Sequence, residues 1–196
     1  MLCTCSPEPK ESDLPELTVA NPEEVISRRS RNRQINPPIS SRWDFPPDII
    51  LCHGVPVTKE RVTEAVDFWK RLGYEFGDIR ALSQFENCRS MWGNITFRLP
   101  TGSELSAAIN AEHLATTRYS VPVDMPDVLV MAEVYFQTTD VSKLPRVVEH
   151  ELGHSLGWGH VSIAGHIMHP IYRRSGWSSE GVTHEDYRSA ELKSRK

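Results

Sequence analysis

The chain has 196 residues, 39% of them hydrophobic and 24% charged, with a formal net charge of -4. One hydrophobic core with an added tail is the natural partition at this length. The mild acidity gives no reason to expect nucleic acid or a membrane surface as a partner, and no run nears the roughly 18–20 apolar residues of a membrane span.

The chain opens MLCTCSPEPKESDLPEL, without a basic n-region or an apolar h-region, so no secretory signal is visible. A cytoplasmic or non-classically exported protein is the expectation. Residues 1–42 are rich in Pro, Ser, Glu and Arg and poor in aromatics, which predicts a polar, flexible arm. Within it, Arg28, Arg29, Arg31 and Arg33 read as a solvated basic stretch, with a processing site or a dock for an acidic partner as the functional alternatives. The compact domain is expected over residues 43–196.

Residues 48–53 (DIILCH) form a short continuous apolar run, the pattern of a central strand buried on both faces. Gly54 and Pro56 break it. Thr58 can cap a helix running to Leu72, with Val62, Ala65, Val66, Trp69 and Leu72 on its apolar stripe and Gly73 as its stop. Residues 74–82 and 95–99 read as further strands. Residues 113–119 read as a short edge strand, and residues 128–136 (VLVMAEVYF) as the strongest strand of the chain. Strand, helix, several strands and then a helix imply an α/β fold with a mixed sheet. The four cysteines, Cys3, Cys5, Cys52 and Cys88, fit neither a zinc knuckle nor a dense disulfide framework. Free thiols are expected, with a single Cys52–Cys88 bridge as the alternative.

Leu144, Val148, Leu152 and Leu156 recur every four residues and predict a helix over residues 142–156, capped by Ser142 and with Pro145 in its first turn. Inside it lies HELGH. His150 and His154, one turn apart on one face, can converge on one ion. Glu151 is offset by one residue and can reach a metal-bound water without displacing a ligand. Gly157 can stop the helix in the left-handed conformation, and the reversed chain brings back His160. Three neutral imidazoles leave a fourth position open, which is what catalytic Zn2+ requires. Such a site suits metal-assisted hydrolysis of an amide bond, in a peptide or another molecule, with Glu151 as general base.

The full run HELGHSLGWGH, with Met168 following in HIMHP, resembles the metzincin zinc endopeptidases and is closest to their matrixin branch. The resemblance implies a zincin fold: a mixed twisted sheet and active-site helix over residues 43–157, then a small C-terminal subdomain over 158–196. It implies that Met168 forms an apolar floor beneath the metal in a Met-turn. It also implies that the segment with Tyr172 and Trp177 forms a wall of the pocket for the substrate side chain, a plain core role being the alternative for both. The family's PRCGxPD-like thiol switch is absent, and a zinc plug by a thiolate of Cys3 or Cys5 is a minor alternative. The His- and Asp-rich loop that holds structural zinc and calcium in many matrixins has no match between residues 100 and 127. His166 and His169 read as surface or hydrogen-bonded histidines. Trp158 reads as packing, and Thr183 with Asp186 as the capping box of a last helix over residues 183–192. The expected partner is a protein or peptide substrate, bound extended along the strand at 113–119. The alternative function is a structural or partner-binding protein that keeps the zinc without turnover.

Overall fold

A computed structural model of the chain describes residues 2–4, 6–7, 42–100, 114–161 and 166–172. The basic arginine segment, Trp177 and the expected last helix lie outside the described residues. A six-stranded mixed sheet is the frame. Its strands are β1 (Leu2–Thr4), β4 (Asp48–Leu51), β5 (Ile79–Ala81), β6 (Asn94–Phe97), β7 (Ala115–Ser120) and β9 (Met131–Phe136), in the order β1-β7-β9-β6-β4-β5. Strands β5, β4, β6 and β9 are mutually parallel, whereas β7 is antiparallel to both β9 and β1. Two short parallel pairs lie beside it: β3 (Arg42–Trp43) with β8 (Val128–Leu129), and β2 (Ser6–Pro7) with β10 (Ile171–Tyr172).

The pleat sorts the side chains. In register across the sheet, Ile49, Ile95 and Ala132 form one row and Leu51, Phe97 and Val134 the next, all in the core. Helix α1 (Lys59–Arg71) and helix α3 (Val147–Ser155) pack on this face. On the other face the half-buried Glu133 accepts from Arg98 Nε at 2.9 Å, from Tyr135 Oη at 2.6 Å and from Ser90 Oγ. Burial alone would raise its pKa, but these three donors and the Arg98 charge bring it below the ordinary carboxylate value.

Helix α1 follows its sequence signals. The Thr58 side chain accepts from Arg61 N, Glu60 occupies the first turn and Lys70 and Arg71 the last. Gly73 at φ +97° ends it, and the Tyr74 amide reaches back to the Trp69 carbonyl.

Several expectations need correction. The long helix over 142–156 is broken into α2 (Thr139–Lys143), capped by Thr138, and α3. Pro145 is the cause: it forces Leu144 out of the helical region, to φ -62° and ψ 140°, so Pro145 stands in the break and not in a first turn. Ser142 is not a cap but an interior residue of α2, donating to the Thr139 carbonyl. The strand over 128–136 is also divided, between β8, which pairs with β3, and β9. Strand β7 is not an edge, because Leu2–Thr4, from the stretch expected to be a loose arm, pairs along it with Leu2 opposite Arg118 and Thr4 opposite Thr116. Finally, Cys52 and Cys88 are not free thiols. They form a disulfide with Cα atoms 5.5 Å apart, a normal span for that bond.

Candidate metal centre

Helix α3 is buried along its whole length, because it lies between the sheet and α1. Polar side chains there must find partners. Glu149 is 4% exposed and takes two guanidinium groups, Arg61 and Arg146, the latter at 3.1 Å. The indole Nε1 of Trp69 donates to the Glu149 carbonyl and that of Trp43 to the Ser155 carbonyl, each at 2.8 Å. The helix is thereby fixed at both ends.

His150 and His154 project from one side of it, fully buried. The Nδ1 of His154 lies 2.7 Å from the Trp158 carbonyl, and the Nδ1 of His150 is in contact with the Ile167 carbonyl. A carbonyl can only accept, so each Nδ1 carries the proton and each Nε2 presents a lone pair. The helix ends in a Schellman turn. Gly157 stands at φ +96°, its amide donating to the His154 carbonyl and that of Trp158 to the Gly153 carbonyl, both at 3.0 Å. The returning chain is pinned by Val161 N donating to the Met168 carbonyl at 2.9 Å and delivers His160. The sequence places all three histidines on one cluster, and the structure brings them there: one ring nitrogen from each lies within 4.8 Å of the others.

Burial keeps these rings neutral. Desolvation, then the neighbouring His160, takes His154 down to about 3. Desolvation likewise lowers His150 far below its ordinary value and His160 to a smaller degree. The Nε2 atoms of His154 and His160 are 3.2 Å apart. Two ligand nitrogens about 2.05 Å from a tetrahedral zinc would stand about 3.3 Å from each other. Neutral rings, outward Nδ1 protons and converging lone pairs therefore fit a zinc ion.

Met168 is fully buried with its thioether close to Gly153, and His166, also buried, accepts from the Met168 amide at 2.9 Å. His169 engages the Ile171 backbone. Trp158 packs as expected and also donates to Tyr74 Oη at 2.7 Å. Tyr172 is buried, which raises its pKa. Gly153, the fourth residue of HELGH, has a steric reason: a Cβ there would stand 2.5 Å from Met168 Sδ and 2.6 Å from Trp69 Cζ2. The Met168 thioether can yield, but the Trp69 ring is held by its hydrogen bond. Gly153→Ala therefore gains about 1 kcal/mol of helix propensity and loses about 3 kcal/mol to overpacking. A net loss of about 2 kcal/mol is expected in denaturant unfolding, and a stability equal to the parent would refute this account of the glycine.

Sequence reasoning missed two participants. Glu149 looks like an ordinary surface acid, and only the depth of α3 makes it matter. Thr117, on β7, donates its hydroxyl to Glu151 Oε2 at 2.6 Å. Period-two alternation from the buried Ala115 would have pointed it inward, but not at a particular carboxylate.

A family model described as Matrixin matches residues 58–191, from the start of α1 to beyond the Met168 turn. No curated protein gives a significant match.

Proposed function

The chain belongs to the matrixin family, and from that premise we propose that it is a zinc endopeptidase, with His150, His154 and His160 holding the metal and Glu151 acting as general base. The observation that carries this reading is the convergence of three neutral imidazoles beside a buried carboxylate. Zinc bound there supplies Lewis acidity, which activates water near neutral pH and polarises a carbonyl.

The chain's own residues do the rest. Glu151 takes the proton of the attacking water and returns it to the departing amine. The Ile167 and Trp158 carbonyls hold the His150 and His154 rings in the tautomer that offers Nε2. Strand β7 would supply main-chain groups to an extended substrate that displaces Leu2–Thr4, the antiparallel segment paired along it.

The test is a peptide-library digest with and without a zinc chelator. Cleavage is expected to stop on chelation and to return with added zinc. Cleavage that persists in chelator refutes the zinc mechanism, and full zinc occupancy without cleavage favours a binding protein.

A further inference from the structure

We propose that Thr117 is a positioning residue for Glu151, its hydroxyl fixing which carboxylate oxygen faces the reacting water. The inference rests on the reading of Glu151 as the base. Thr117 is fully buried at the centre of β7. Its Oγ1 lies 2.6 Å from Glu151 Oε2 and 3.1 Å from the Glu151 backbone carbonyl. A hydroxyl has one proton, so it can serve only one of them. The carbonyl also receives the Ser155 hydroxyl at 3.1 Å. The carboxylate contact is the shorter, and it falls in the range of about 2.5–2.7 Å that marks a charge-assisted O–H···O⁻ bond. The proton therefore goes to Oε2.

That bond matters because the last torsion of a glutamate is broad and nearly two-fold, so the carboxylate does not orient itself. Its donor is rigid. Thr117 is β-branched and stiff at χ1. Its backbone is laddered on both sides, opposite Val134 of β9 and Cys3 of β1. A group carried on a paired strand holds its target more closely than one on a loop. Burial strengthens the contact, since little water competes for either partner. With Oε2 held by the strand, Oε1 is the oxygen that receives the proton from water. The HELGHSLGWGH run does not contain this residue, and nothing in the spacing of the histidines requires it.

The experiment compares the zinc-loaded full chain with Thr117→Val, Thr117→Ser and Thr117→Ala. Valine keeps the shape without the donor, and serine keeps the donor without the methyl. The expected result for Thr117→Val is kcat lowered about tenfold with KM and zinc content unchanged, as for a group that acts only on the reacting geometry. Thr117→Ser is expected to recover most of that loss. Should Thr117→Val fail to fold, Thr117→Ala is the donor-less comparison. The second readout is the affinity for acetohydroxamate, which must surrender its N–OH proton to a nearby base as it chelates zinc. It is expected to weaken with valine or alanine and not with serine.

Parent-like kcat and acetohydroxamate affinity in Thr117→Val overturn the proposal. So does a Thr117→Ser variant as impaired as Thr117→Val, which would assign the effect to packing. If the parent cleaves no peptide while the acetohydroxamate series keeps its order, the peptidase reading fails and the positioning of Glu151 stands.

Discussion

Glu151→Ala is expected to lower kcat/KM by about 10³-fold, the middle of the range for loss of a general base, while one equivalent of zinc remains bound. The two halves of that expectation come from different parts of the site. The proposed ligand nitrogens belong to His150, His154 and His160, and two of those rings are held by the backbone carbonyls of Ile167 and Trp158. None of these contacts involves the Glu151 side chain, so the ligand set survives its removal. The proton, by contrast, has no equivalent acceptor: Glu149, the other carboxylate beside His150 on this helix, is held by the guanidinium groups of Arg61 and Arg146. Truncation also leaves a void beside Thr117, so Glu151→Gln is the companion variant. It keeps the shape and can still accept from the Thr117 hydroxyl, but it cannot take up a proton at neutral pH. Both variants should be inactive with zinc content at parent level, measured by atomic absorption on dialysed protein. Activity within tenfold of the parent in either would remove Glu151 from the mechanism.

The disulfide carries the second large effect. Cys52 and Cys88 are 36 residues apart in sequence. Closing a loop of that length in the unfolded chain is worth about 4 kcal/mol in the chain-entropy account. The closed segment includes α1 and β5, and so the helix whose Arg61 and Trp69 hold α3. The double variant Cys52→Ala, Cys88→Ala is therefore expected to unfold at markedly lower urea concentration, by about 2–4 kcal/mol. A reducing agent should lower the midpoint of the parent but leave that of the double variant unmoved. A parent midpoint that is insensitive to reduction under unfolding conditions would show that the bridge contributes nothing.

Much of the site can be read from residue order because its geometry is local. A turn of helix relates His150 to His154, and a glycine that must stand at positive φ relates both to His160. No distant strand is needed to infer that cluster. The central strands are legible for a similar reason. The run IILC (Ile49, Ile50, Leu51, Cys52) has no polar residue to place outward, so it must be covered on both faces. The misses have two sources. One is competition between signals: the four-residue leucine spacing runs through Leu144, but Pro145 overrides it and delays the helix to Val147. The other is distance along the chain. The bond between Cys52 and Cys88, the contact of Thr117 with Glu151 and the pairing of Leu2–Thr4 with β7 all join segments whose proximity depends on the finished sheet. Residue spacing holds no record of them.

The pairing of β1 with β7 has a kinetic meaning. A peptide that needs the outer edge of β7 competes with a strand that is covalently attached and never diffuses away. For such an internal competitor the relevant quantity is the fraction of time the edge is bare. An edge covered for about 99% of the time weakens every incoming peptide about 100-fold, and leaves the turnover of the bound complex untouched. Diluting the protein brings no relief, because the effective concentration of a tethered strand is set by its linker and not by the solution. A long substrate that gains contacts beyond the edge would displace the strand more readily than a short one. On the proposed peptidase reading, the fold would favour extended protein chains over small peptides before any side chain is read.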